Sequence, residues 1–160
     1  AGKYPVKAVQ AMAHVIEGAE KYQLGKAGIP TAEGEFSNTE EAIAKAVMYT
    51  ANHLHVRAIV ALTESGLTPL WMSRIRTDIP IYAFTRQERT VGRVLLYRGV
   101  EPVLFDVTHT SPAQMYQAVF DRLLEKGLVD VGDQVILTKG DLSGVQGGTN
   151  SMQILRVIRA

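Results

Sequence analysis

A chain of 160 residues, 46% hydrophobic and 21% charged, is long enough for one domain with a substantial core and has the mix of an ordinary water-soluble protein. Its formal net charge of +1 sets up no global field toward nucleic acid or an anionic membrane, and the lack of cysteine excludes disulfides, thiolate chemistry and Cys-ligated zinc. No apolar run approaches the ~20 residues that span a bilayer, and the amino end lacks the continuous apolar stretch of a signal peptide, so a cytoplasmic protein with no membrane or nucleic-acid partner is expected.

The chain opens on Ala1-Gly2-Lys3 without a methionine, as an excised piece of a longer protein would. Pro5 suits a first-turn position, and Val6, Val9, Met12, Ala13 and Ile16 fall on one helical stripe. Gln23 to Phe36 hold glycines, a proline and few large apolar groups, the pattern of a connecting segment. The expected organisation is therefore a helix over 1–22, a linker over 23–36 and a domain over 37–160.

Ser37-Asn38-Thr39-Glu40 has the form of a capping box, followed by Ile43, Val47, Thr50 and Leu54 at helical spacing. Val56 to Thr63 is a continuous apolar run of the kind buried on both faces of a parallel sheet. The pattern then alternates: helix from Gly66 to Thr77, strand at Ile79 to Thr85, helix at Gln87 to Arg98 closed by Gly99, strand at Pro102 to Phe105. Ser111-Pro112-Ala113-Gln114 offers a second capped start, with Met115, Val119 and Leu123 carrying the apolar face to Gly127. Strands at Gln134 to Thr138 and Met152 to Val157 are joined by a loop too short for a crossover helix, so they should pair antiparallel. The expected fold is a three-layer α/β/α sandwich with a mostly parallel five-stranded sheet and one antiparallel edge strand.

Two loops carry the candidate chemistry. Thr63-Glu64-Ser65-Gly66-Leu67-Thr68 leaves the first strand and opens a helix, where free amides, the positive helix end and the hydroxyls of Thr63, Ser65 and Thr68 around Gly66 suit an anion. A capped helix start with no ligand explains the same residues. Lys139 to Asn150 leaves the fourth strand and, in a doubly wound sheet, emerges beside the first strand at the switch point where ligands collect. Gly147, Gly148 and Thr149 could then close over a phosphate, with Lys139 and Arg86 supplying positive charge. A hairpin loop whose glycines serve turn geometry alone is the competing explanation. Glu64 limits how much negative charge the site tolerates, which disfavours a bisphosphate. His53-x-His55 lacks metal-ligand spacing, and Arg86, Arg89, Arg93 and Arg98 read as a solvated or subunit-facing flank. No catalytic constellation, P-loop or G-x-G-x-x-G occurs.

Gly2-Lys3-Tyr4-Pro5, Ile16-Glu17-Gly18-Ala19-Glu20, Thr63-Glu64-Ser65-Gly66, Arg89-Thr90, Leu96-Tyr97-Arg98-Gly99-Val100, Pro102-Val103 and Gly148-Thr149-Asn150, in that order, resemble the carboxy-terminal allosteric domain of pyruvate kinase, in its bacterial type II form. The resemblance implies a cytoplasmic, tetrameric parent enzyme that transfers phosphoryl from phosphoenolpyruvate to ADP using magnesium and potassium, with no catalytic or metal residue in this segment. It implies that residues 1–22 are the last helix of an upstream barrel. It also implies that the Thr63 to Thr68 loop holds an effector phosphate under the Gly144 to Asn150 loop. No tryptophan stands between the third and fourth strands, and Leu67 replaces a basic residue common in relatives, so AMP or a sugar monophosphate is expected rather than fructose 1,6-bisphosphate. Two other expectations compete: a ligand-free module associating through its last strand, and a small nucleotide-dependent enzyme, which requires turnover by this chain alone.

Overall fold

Five strands form one sheet in the order β3-β2-β1-β4-β5: β1 Ala58–Leu62, β2 Ile81–Thr85, β3 Val100–Leu104, β4 Gln134–Gly140 and β5 Thr149–Arg156. β1 pairs in parallel with both β2 and β4, β2 pairs in parallel with β3, and β5 runs antiparallel along β4. The computed structural model describes residues 2–24, 35–106, 110–140 and 148–159. The chain divides into two units, Ala1–Glu33 and Gly34–Ala160. Among its described residues the first contains the helix α1 Pro5–Leu24, whose Val6, Val9, Met12 and Ile16 are exposed.

In the second unit, side-chain alternation sorts the strands onto two cores. Ala58, Val60, Tyr82, Phe84, Val135 and Leu137 face α5 (Pro112–Glu125), which contributes Val119, Phe120 and Leu123. Ile59, Ala61, Ile81 and Ile136 face α2 (Thr39–His53) and α3 (Leu67–Ser73), which contribute Ala44, Val47, Met48, Ala51 and Met72. The three layers are those expected, because β1 and β2 are apolar at nearly every position and must be covered on both sides.

Several element ends differ from expectation, each for a local reason. The cap of α2 is displaced by one residue: Asn38 Oδ1 accepts from the Glu41 amide at 2.9 Å, and Glu41 Oε2 accepts from the Ser37 amide at 2.9 Å. The run Ser-Asn-Thr-Glu-Glu offers two registers, and the chosen one places Lys45 one turn beyond Glu41, with Nζ 2.8 Å from Oε1. That contact and the Ser37 amide hold the Glu41 carboxyl at about 2, well below its ordinary value. β3 begins at Val100, two residues before Pro102, because an edge strand tolerates a missing amide within its length. α3 and the next helix, α4 Glu88–Val94, end early in tighter turns, with Ile75 donating to the Met72 carbonyl and Tyr97 to that of Val94. Most of the expected linker over 23–36 lies outside the described residues.

At the other end of β4 the ladder continues past Thr138 through a bulge, pairing Gly140 with Thr149. A side-chain carbon on Gly140 would meet the Gly148 carbonyl, 2.8 Å from its carbon atom, so only glycine fits there. This ladder carries Thr149 to the carboxyl ends of β1 and β4.

Candidate functional site

The order 3-2-1-4-5 reverses direction between β1 and β4, and the crevice above their carboxyl ends is where open α/β sheets collect ligands. The loop Thr63–Leu67 rises from β1 into this position. Thr63 Oγ1 accepts from the Gly66 amide at 2.9 Å and Ser65 Oγ from the Leu67 amide at 3.3 Å, so the hydroxyls organise the turn around its own donors. Gly66 has φ +80°, and an added side-chain carbon would lie 3.1 Å from Val94 Cγ2 and 3.3 Å from Thr90 Cγ2. Both the backbone conformation and the packing of the turn on α4 therefore require glycine.

The two predicted loops meet through buried hydroxyls. Thr68 Oγ1 and Thr149 Oγ1 are 2.8 Å apart, and Thr68 is fully buried. Thr68 also donates a longer bond, 3.4 Å, to Glu40 Oε1 from the first turn of α2. Glu40 is buried, and Thr138, on the same face of β4 as Ile136, buries a hydroxyl with no hydrogen-bond partner among the described residues. A carboxylate and three threonines thus replace apolar side chains at the upper end of this core. Sequence reasoning assigned Glu40 to a cap and passed over Thr138. The adjacent glutamates Glu40 and Glu41 were the available signal, since only one of them can close the capping box.

The predicted cations are placed differently from one another. Arg86 Nε lies 3.0 Å from Glu64 Oε1, and Gln87 Nε2 donates to Glu64 Oε2 at 3.2 Å, so the carboxylate beside the turn is balanced. Lys139 falls on the opposite face of β4 from Thr138, with Nζ 5.5 Å from the Tyr116 ring centre of α5. It is not brought to the hydroxyl cluster. Gly148 borders Gly140 at the bulge, whereas Gly147 and the rest of 141–147 lie outside the described residues. Thr90 and Arg93 were not among the predicted site residues, yet both grip the turn: Thr90 Oγ1 donates to the Glu64 carbonyl at 2.7 Å and Arg93 Nη1 to the Ser65 carbonyl at 2.9 Å. With its carbonyls drawn toward α4, the turn is held from one side.

His53 donates from Nδ1 to the Tyr49 carbonyl at 2.7 Å and packs on the Tyr49 ring, a helix-end contact. Trp71 packs against the α2/α3 core with the Arg74 guanidinium 4.3 Å from its ring centre.

Comparison with known proteins matches residues 41–155 to the family described as pyruvate kinase, alpha/beta domain. Over 158 residues, 98% of the chain, it is 46% identical to pyruvate kinase II of Salmonella typhimurium, covering 33% of that protein. It is 38% identical over 157 residues to pyruvate kinase of Buchnera aphidicola subsp. Baizongia pistaciae, covering 98% of the chain and 33% of that protein. It is 34% identical over 160 residues to pyruvate kinase 2 of Synechocystis sp., covering 99% of the chain and 26% of that protein. The chain spans about a third or less of the length of these relatives.

Proposed function

Because the chain belongs to the pyruvate kinase alpha/beta domain family, we propose that it is the effector-binding and oligomerisation domain of an enzyme that passes phosphoryl from phosphoenolpyruvate to ADP in glycolysis. The observation that carries this reading is the buried Thr68–Thr149 hydrogen bond, which joins two loops 81 residues apart at the switch point of the sheet. A phosphate seated on Ser65, Gly66 and the hydroxyl of Thr63 bears on that contact directly, and the segment ending in Gly147, Gly148 and Thr149 supplies the cover. Binding is then coupled to the packing of the two loops, and a coupling of about 1–3 kcal/mol suffices for activation at a distant active site.

The effector in this reading is AMP or a sugar monophosphate rather than fructose 1,6-bisphosphate, because no tryptophan stands between β3 and β4 and Leu67 replaces a basic residue common in relatives. Magnesium and potassium, in this reading, serve the catalytic part of the parent enzyme. The exposed apolar stripe of α1 suits the last helix of a preceding domain. No helix among the described residues is long and apolar enough to cross a membrane; the proposed location is cytoplasmic.

Calorimetric titration of this chain with AMP, ribose 5-phosphate, glucose 6-phosphate and fructose 1,6-bisphosphate tests the reading. The expected result is saturable binding of a monophosphate, removed by Ser65→Ala. Binding of the bisphosphate alone, or of none of the four, overturns it.

A second reading has its own observation. Among the described residues β5 pairs on one side only, with β4, and Ile154 stays 44% exposed, so the edge can continue the sheet into a second copy and contribute to a tetramer. It coexists with effector binding.

A further inference from the structure

On the other side of the Thr63–Leu67 turn from Thr149 lies a cavity of about 480 Å³, walled by Glu64 and Ser65 of the turn, Arg86 and Gln87 after β2, and Arg89, Thr90 and Arg93 of α4. We infer that this cavity is a second anion site, taking a small polyvalent phosphate between Arg89 and Arg93. The inference uses side chains on which the proposed monophosphate seat does not depend.

The charges decide the sign. Three guanidiniums and one carboxylate line the cavity, and that carboxylate is fully engaged, with Arg86 at 3.0 Å on one oxygen and the Gln87 amide at 3.2 Å on the other. Arg89 and Arg93 are left uncompensated. Arg93 donates to the Ser65 carbonyl at 2.9 Å, a neutral acceptor that fixes the guanidinium without cancelling its charge. Arg89 has no hydrogen-bond or ion-pair partner among the described residues. The two stand four residues apart on one helix, where like charges repel, and a bridging anion converts that repulsion into attraction.

The chemistry of the lining narrows the class. Among the described residues no aromatic or large apolar side chain contributes to the wall, so a base has no surface to stack on and a nucleoside gains nothing there. A planar carboxylate presents its two oxygens in one plane, as Glu64 does to Arg86 and Gln87. The tetrahedral oxygens of a phosphate present edges in several directions and can accept from two guanidiniums at once. Pyrophosphate carries enough charge to offset both arginines and is the natural probe.

The test is calorimetric titration of the 160-residue chain with sodium pyrophosphate, with amide chemical shifts followed in parallel and citrate as the polycarboxylate control. Saturable binding is expected, with shifts concentrated at Ser65 and from Arg89 to Arg93. Arg89→Ala and Arg93→Ala should each weaken it by about tenfold or more, the scale of losing one charge-assisted contact. Arg93→Lys should weaken it less. Ser65→Ala should leave pyrophosphate binding intact, because only the main-chain carbonyl of Ser65 touches Arg93, although it removes the monophosphate proposed above. Thermal melts of the arginine variants, which alter exposed side chains, verify that they fold. Absence of binding, citrate binding as tightly as pyrophosphate, or unchanged affinity in the Arg89→Ala/Arg93→Ala double variant overturns the inference.

Discussion

The two faces of the sheet are made by the same strands, yet they finish differently at the carboxyl edge. On the α5 face the core stays apolar to its upper limit, where Leu62 and Phe105 pack against it and Phe84 meets Phe105 edge to face at a ring separation of 5.3 Å. On the α2/α3 face the apolar layer stops at Ala61 and Met72, and above it Thr68, Thr149 and Glu40 form a buried hydrogen-bonded group beside Thr138, whose hydroxyl has no partner among the described residues. Buried polar groups are costly unless satisfied, and one unsatisfied hydroxyl costs more than a methyl group in its place. The first face is therefore built for stability, whereas the second gives some of it up at the switch point where the two loops converge.

Truncating the α5 face should produce the largest effect. Leu123 is fully buried, and Leu123→Ala should lower unfolding free energy by about 2–5 kcal/mol in guanidinium titrations while leaving phosphate affinity unchanged. A parallel loss of affinity would show that the faces are not separable.

The polar layer should respond less in stability and more in function. Thr68→Val keeps the shape but strips the Glu40 and Thr149 contacts, and should cost about 1–3 kcal/mol, with Thr68→Ser recovering most of it. Effector affinity should fall along with it. A neutral Thr68→Val in denaturant unfolding would mean that the polar layer is merely tolerated.

Glu41→Gln should give the smallest effect, visible as a pH dependence. The folded carboxyl, held at about 2 by Lys45 and the Ser37 amide, binds protons more weakly than the unfolded one, whose ordinary value is 4.5. As pH falls the unfolded chain takes up protons first, so the contribution of Glu41 is complete above 4.5, declines below it and is gone once pH passes through about 2. Melting temperatures of wild type and Glu41→Gln should differ at neutral pH and converge toward pH 2. A gap that persists at the acid end would assign the effect to packing.

Much of the architecture was readable along the chain. The apolar runs of β1, β2 and β4 demand cover on both sides, and the short β4–β5 connection demands an antiparallel pair. The meeting of the Thr63–Thr68 turn with Thr149 followed from strand order. The capping register of α2 was not readable, because two overlapping boxes satisfy the same local rule and the choice rests on Glu41 reaching Lys45 while Glu40 turns toward Thr68.

By itself the sequence determined the period of each segment, and with it which stretches are strands, which are helices and where the glycine-bearing turns lie, because these depend on neighbours a few residues away. Only the tertiary structure decided that Lys139 faces Tyr116 rather than the hydroxyl cluster, that Arg86 belongs to Glu64, and that α4 grips the turn through Thr90 and Arg93. Those outcomes depend on which side of a strand a residue occupies and on what a distant element brings there. A shift of one residue along the strand reverses the first, and no local pattern encodes the second.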